Sequence, residues 1–306
     1  MRILFITATR IGDAVLSTGL LDHLIRQYPQ ARFVVACGPA AEGVFARMPG
    51  RAWTIVLAKR RLRLHWLELW REVGTQRWDL VVDLRGSAFA FLLRARRRFV
   101  MRGGRQPGPR IIHLGALMGL DPPPLPVAWF NAADRARAAV LLPGDGPWIA
   151  LGPTANWDRK VWPAERFVAL FRALTAPGEP LAGARAAILG GPGPQEAAMA
   201  APVLAALGDR AVDLVGRISL PEAAAVLARS ALFVGNDSGL MHLSAATGTP
   251  TLGLFGPSRV QEYAPSGRRT ATAIAPGSPA LDSMTGLTLD QALAAARGLL
   301  AEPLPA

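Results

Sequence analysis

The chain has 306 residues, 51% of them hydrophobic and 18% charged, which allows one large or two ordinary domains and excludes a disordered or low-complexity chain. Its 34 Lys and Arg outnumber 22 Asp and Glu, a net +12 that points to an anionic partner. The single cysteine, Cys37, excludes an internal disulfide framework, and the absence of any apolar run near the ~18 residues a span requires excludes a transmembrane helix.

The opening Met1–Ile6 has no small-residue cleavage site and reads as a strand rather than a signal peptide. Short β-branched runs then alternate with helical stretches, the rhythm of parallel α/β layers. In the first half, strands are expected at Arg2–Ala8, Arg32–Ala36, Ala52–Val56, Leu80–Leu84 and Arg98–Met101. Helices are expected near Asp13–Tyr28, Leu62–Thr75 and Ile111–Gly119. The proline run Asp121–Pro126 cannot continue a helix or a central strand. A short helix at Ala132–Leu141 and the turn-rich Pro143–Pro147 follow. This zone predicts a boundary between domains at 1–142 and 143–306.

The second half repeats the rhythm. Strands are expected at Trp148–Leu151, Ala186–Leu189, Ala211–Leu214, Leu232–Val234 and Thr251–Phe255. Helices are expected near Ala164–Leu174, Gln195–Leu207, Leu220–Ala228 and Leu240–Thr247. A last helix over 288–301 could pack back on the first domain. The fold class expected is two Rossmann-like parallel-sheet domains facing a cleft. Ligands of such sheets bind beyond the carboxyl ends of the strands, so the strand-to-helix loops carry the candidate chemistry.

The first of these loops is Ala8–Val15, in which Gly12 permits a tight turn and Asp13 opens a helix. Asp13 is either an ordinary N-cap or a carboxylate placed as a general base. The loop lacks Gly-x-Gly-x-x-Gly, which argues against a dinucleotide site. In the second half, Gly152–Pro163 carries Thr154, Arg159 and Lys160 ahead of Pro163 at a helix start, a cradle for phosphate or a solvated charged loop. Gly190–Gly193 precedes Glu196 at another helix start. Val234–Ala246 places Asp237, Ser238 and Gly239 at a loop–helix junction, where exposed N–H groups favour anions, with His242 about one turn on. Phe255–Ser258 makes a further loop at the same edge. The four histidines, His23, His65, His113 and His242, are far apart in sequence, so no zinc site is indicated.

In order, Arg10-Ile11-Gly12-Asp13, Lys160-Val161-Trp162-Pro163, Asn236-Asp237-Ser238-Gly239-Leu240-Met241-His242-Leu243 and Phe255-Gly256-Pro257-Ser258 resemble the ADP-heptose:lipopolysaccharide heptosyltransferases, glycosyltransferase family 9. The resemblance spans residues 1–260, and the tail Ser283–Asp290 resembles the family's closing helix. The family's usual Thr-Thr-Pro in the first helix is Ser17-Thr18-Gly19 here, and the Gly152–Trp157 loop also departs from the family pattern.

The resemblance implies a GT-B fold and an inverting, metal-independent transfer from a nucleotide sugar, ADP-heptose, with no further cofactor. It implies Asp13 as the base that deprotonates the acceptor. Lys160 with Thr154 would neutralise the leaving diphosphate, and Asp237 would hold donor sugar hydroxyls. The Ser238–Gly239 backbone would face the phosphates with His242 close by, and Glu196 would hold the ribose. The alternatives are a GT-B transferase using another nucleotide sugar for a different cell-envelope glycan, and a non-catalytic nucleotide-binding scaffold.

Charge adds the acceptor side. Residues 1–120 hold 20 Lys and Arg against 7 Asp and Glu, while residues 121–306 hold 14 against 15. The basic half therefore meets the polyanion. Gly12 and the cluster Lys59, Arg60, Arg61 and Arg63 are the acceptor-binding candidates, with Arg94–Arg98 a second cluster. From charge alone a nucleic acid, an anionic membrane surface and a phosphorylated glycolipid all fit; the resemblance implies an anionic glycolipid acceptor, and with it a cytoplasmic protein in peripheral contact with the cytoplasmic face of the inner membrane. Trp66, Leu67 and Trp70 could touch that membrane, although an aromatic stripe is more often core. No nucleic-acid-binding signature accompanies the charge.

Overall fold

The structure, a computed structural model, describes residues 1–58, 64–102 and 107–301. It divides into two compact units, Met1–Trp129 and Phe130–Ala306.

The first unit is a five-stranded parallel sheet in the order β3-β2-β1-β4-β5. Its strands are β1 (Arg2–Ile6), β2 (Arg32–Cys37), β3 (Arg51–Val56), β4 (Arg77–Asp83) and β5 (Arg94–Val100). Ile3, Leu4, Phe5 and Ile6 are all fully buried. That is why the central strand reads as an unbroken apolar run, since helices cover both faces of a parallel sheet. The helices are α1 (Ile11–Gln27), α2 (His65–Val73), the single turn α3 (Phe89–Leu92) and α4 (Arg110–Leu117).

Helix α1 is buried from Ala14 to Leu21, so its polar residues need internal partners. Ser17 Oγ donates to the Ala14 carbonyl at 2.7 Å and lies 2.9 Å from the Thr7 hydroxyl. Thr18 Oγ1 donates to the Val15 carbonyl at 2.7 Å and accepts from the Val127 amide at 2.9 Å. A Cβ on Gly19 would sit 2.4 Å from the Pro124 carbonyl oxygen. The Ser17-Thr18-Gly19 sequence is thus fitted to the proline segment that lies against it.

β5 starts at Arg94, earlier than the expected Arg98, and is an edge strand. The Arg94–Arg98 cluster therefore lies within the strand. Arg94, Arg96 and Arg97 are exposed along it, where charge discourages pairing with another chain. Arg98 instead gives its guanidinium to the carbonyls of Ala90, Leu93 and Ala95.

The second unit contains α5 (Ala132–Leu141), β6 (Trp148–Gly152), α6 (Ala164–Leu174), β7 (Arg185–Ile188), α7 (Pro194–Leu207), β8 (Ala211–Asp213), α8 (Leu220–Arg229), β9 (Leu232–Asn236), α9 (Gly239–Thr247), β10 (Thr251–Phe255), the single turn α10 (Val260–Tyr263), β11 (Thr270–Ile274) and α11 (Leu289–Ala301). Its parallel sheet runs β11-β10-β9-β6-β7-β8. Taken from β8, that order is three strands back to the first and then three onward, the doubly wound arrangement.

Helix α5 falls in this unit, so the division precedes it instead of following it at 142/143. The reason is local: α5 packs on α8, Arg137 pairs with Glu222 at 3.9 Å, and Arg229 donates to the Leu142 and Gly144 carbonyls at 3.2 and 2.8 Å. Helix α11 places Ala292, Ala296 and Leu299 in this unit's own core, so its apolar face is spent there. β11 was not expected from the sequence.

Candidate active site

In the second unit the strand order reverses between β6 and β9, and the crevice outside their carboxyl ends is where a doubly wound sheet binds ligand. The two strands run in register from Ile149–Leu232 to Gly152–Gly235. Both glycines face the Phe233 ring closely enough that a Cβ would lie 2.9 Å (Gly152) or 2.5 Å (Gly235) from it.

Asn236, fully buried at the end of β9, ties the two loops together. Its Oδ1 accepts from the Trp162 amide at 3.0 Å, and its Nδ2 donates to the Thr154 carbonyl at 3.5 Å. The Trp162 ring nitrogen donates to the Leu287 carbonyl at 2.9 Å, so the segment after β6 is pinned on two sides. Lys160 lies in a 3-10 turn, Asp158–Lys160, closed by its own amide on the Trp157 carbonyl at 2.9 Å. Gln195 steadies that turn through a 3.0 Å bond to Asp158.

The consequence is an ion pair across the crevice. Lys160 Nζ meets Asp237 Oδ2 at 2.5 Å, the side chains being 20% and 8% exposed. Charges this sheltered need a partner, because desolvation would otherwise penalise each of them. Beside them Ser238 is the N-cap of α9, yet its hydroxyl makes no capping bond. That oxygen is buried with no hydrogen-bond partner among the described residues, as is the hydroxyl of Ser258 after β10. Buried polar atoms are normally satisfied, so the Ser238 hydroxyl at the uncapped start of α9 is a preformed place for a polar, anionic group, and the Ser258 hydroxyl stands on the loop after the adjacent strand β10.

Thr154 is buried, and its side chain would contact a Cβ placed on Gly190. Glu196 accepts from the Gly191 amide at 3.0 Å and so holds the glycine loop. His242 is buried on α9. The structure thus gathers Lys160 and Asp237 directly, with Thr154, Ser238 and Gly239 on the same loops. Glu196 stands on the neighbouring loop after β7.

In the first unit the reversal lies between β1 and β4, where Ile6 pairs with Asp83. Asp13 and Gly12 occupy the first turn of α1. The N-cap is Arg10, not Asp13, and among the described residues the Asp13 carboxylate has no hydrogen-bond or ion-pair partner. The N-cap alternative for Asp13 is therefore answered by geometry.

The neighbouring loop is organised by Asp83, which is fully buried. It accepts from the Arg85 amide at 2.8 Å, the Ser87 amide at 3.1 Å and the Ser87 hydroxyl at 2.5 Å. Arg85 itself lies 4.8 Å from the centre of the Trp66 ring, with Nη1 buried and, among the described residues, without a hydrogen-bond partner. Burial pulls Arg85 below the ordinary arginine value, and Asp83 pulls the other way. Sequence reading missed Asn236, Asp83 and Arg85. The signal for the first two is a polar residue ending an otherwise apolar strand run.

Lys59, Arg60, Arg61 and Arg63 lie outside the described residues. On α2, Leu69 and Val73 face the core, Trp66 stacks on Phe89 at 5.4 Å, and Leu67 and Trp70 are 46% and 43% exposed. The core reading of this stripe therefore fails for Trp70. Burial pushes the Cys37 thiol up to about 12, so it carries no nucleophile chemistry. No helix among the described residues is long and apolar enough to cross a membrane.

The sequence model for glycosyltransferase family 9 (heptosyltransferase) matches residues 110–283. Lipooligosaccharide heptosyltransferase 2 of Haemophilus influenzae is 26% identical, covering 90% of this chain and 88% of its own length. Among solved structures, the family 9 glycosyl transferase of Veillonella parvula has a TM-score of 0.80 at 21% identity, covering 98% of this chain and 97% of that one. Escherichia coli ADP-heptose lipopolysaccharide heptosyltransferase II has a TM-score of 0.76, also at 21% identity, with 98% of each chain covered. The shared fold is GT-B.

Proposed function

Given that the chain belongs to glycosyltransferase family 9, we propose that this glycosyltransferase moves a heptose or related sugar from an ADP-activated donor to an anionic inner-core acceptor of lipopolysaccharide. The observation that carries the reading is the Lys160–Asp237 pair beside the unpartnered Ser238 hydroxyl at the β6/β9 reversal.

The pair suits a partner exchange. Breaking the sugar–phosphate bond leaves the diphosphate with an added negative charge, which needs preorganised positive potential. Lys160 turns from Asp237 to that charge, assisted by the start of α9 and the Ser238 hydroxyl. The released Asp237 carboxylate accepts from donor sugar hydroxyls, so neither charge is left bare. Glu196 takes the ribose, and Thr154 and His242 shape the pocket wall.

On the acceptor side, Asp13 takes the hydroxyl proton as the oxygen attacks the anomeric carbon. Its carboxylate, unpartnered among the described residues, is an acceptor for that proton, and general-base assistance of this kind is worth roughly 10²–10⁴-fold. Attack opposite the leaving diphosphate inverts the anomeric centre. The positive charge comes from Lys160 and the helix start, so the transfer proceeds without metal. The acceptor is received by Gly12 and the cluster Lys59, Arg60, Arg61 and Arg63, at the cytoplasmic face of the inner membrane.

The test is a thermal-shift panel with ADP, UDP, GDP, CMP and ADP-heptose on wild type and Lys160→Ala. A ligand at about 100 times its Kd adds roughly 2.7 kcal/mol of stability. Stabilisation by ADP and ADP-heptose, weakened in Lys160→Ala, is expected. Preference for another nucleotide would keep the transfer and change the donor; no shift with any nucleotide would sink the reading.

A further inference from the structure

We infer that Arg85 is a specificity residue of the first unit, binding a carboxylate or phosphate carried by the acceptor. The inference rests on the acceptor being anionic, and it names the side chain that reads the anion.

Four observations carry it. Arg85 follows β4 by two residues, and β4 is the strand beside β1 at the reversal of the sheet. The loop holding Arg85 thus leaves the sheet next to the segment that leads to Asp13, at the edge where such sheets take ligand. The Arg85 guanidinium lies over the Trp66 ring, 4.8 Å from its centre, and Phe89 stacks on that ring in turn, an arrangement that restrains a bidentate donor.

The Asp83 carboxylate is occupied by two loop amides and the Ser87 hydroxyl. It fixes the loop and lends field without taking the guanidinium's donors. Among the described residues Nη1 is sheltered and unpartnered. A solvated surface arginine needs no such housing, and an arginine serving only the fold would spend its donors on carbonyls, as Arg98 does on Ala90, Leu93 and Ala95. The planar fork is suited to two oxygens of one carboxylate or phosphate.

The experiment is titration calorimetry on the full chain, wild type, Arg85→Gln and Arg85→Lys. The probes are a deacylated inner-core oligosaccharide, its phosphatase-treated form and its carboxyl-reduced form, with ADP as control. Arg85→Gln is expected to weaken the intact oligosaccharide by about 10- to 100-fold, the range for a hydrogen-bonded charge, and to leave the ADP Kd within about twofold. Arg85→Lys restores part of the affinity, because it keeps the charge and loses the fork. The treated form whose binding no longer responds to Arg85→Gln identifies the anion's source.

Oligosaccharide binding unchanged in Arg85→Gln overturns the inference, as does equal weakening of all three forms. If wild type binds ADP but no oligosaccharide, the acceptor reading above falls on its own. Inorganic phosphate and acetate then probe the site, and binding that Arg85→Gln does not alter overturns the inference.

Discussion

The two sheet reversals of this chain are built from the same topology and finished in opposite ways. At the second, between β6 and β9, the charged groups are already joined: Lys160 meets Asp237 at 2.5 Å, and Asn236 ties the segment after β6 to the end of β9. At the first, between β1 and β4, Asp83 holds the loop while, among the described residues, the Asp13 carboxylate and Arg85 Nη1 are without hydrogen-bond partners. A site that must neutralise charge developing on a leaving group gains from rigid, preset electrostatics. A site that must accept a proton gains from a carboxylate with no competing partner. The contrast predicts that substituting the open Asp13 carboxylate at the first reversal costs activity and little stability, while substitutions at the second cost both.

The largest expected effect tests the first half of that contrast. Asp13→Asn keeps the shape and removes the base, so kcat for sugar transfer should fall about 10²–10⁴-fold. Stability should change by no more than about 1 kcal/mol, the size of a first-turn acidic interaction with the helix dipole. ADP affinity should stay at the wild-type value. Retained kcat would remove Asp13 from the mechanism; a large stability loss would mean the open carboxylate is structural after all.

Asn236→Ala breaks the other half. The Trp162 amide loses its acceptor in a buried setting, which costs about 1–3 kcal/mol. The turn carrying Lys160 loosens with it, so ADP affinity should fall alongside the denaturation midpoint. Loss of stability with unchanged ADP affinity would show that the staple serves the sheet and not the ion pair.

Much of the fold was legible because a parallel sheet covered on both faces writes itself as contiguous apolar runs, as in Ile3–Ile6 and Leu232–Val234. β11 escaped because Thr-Ala-Thr-Ala-Ile is short, small and only partly buried at an edge. The start of β5 escaped because its arginines resemble a surface cluster until the strand's edge position is known. In the candidate site, the positions of Lys160, Asp237, Ser238 and Asp13 at strand-to-helix loops were legible from the sequence. Asn236, Asp83 and Arg85 were not, since their roles depend on which distant strands become neighbours. Asn236 acts across 74 positions on Trp162, a relation no local pattern carries.

The smallest effect sharpens the contrast by asking what supports the open edge. Glycine within a helix ordinarily costs about 0.5–1 kcal/mol relative to alanine, so Gly19→Ala would stabilise α1 if the helix stood free. Here the added Cβ would lie 2.4 Å from the Pro124 oxygen and 2.8 Å from that of Leu125. Both are backbone atoms, so no side chain can swing aside. Either α1 or the proline segment must shift, and the balance should turn to a loss of about 1–3 kcal/mol, the usual cost of overpacking. The same shift strains the bond from the Val127 amide to Thr18 one residue away. Thermal denaturation of Gly19→Ala against wild type reads the sign directly. A lower midpoint means the Asp13 edge is open at its mouth and clamped behind, as the contacts of α1 require. A higher midpoint would mean that the proline segment yields, and that α1 is not held from that side.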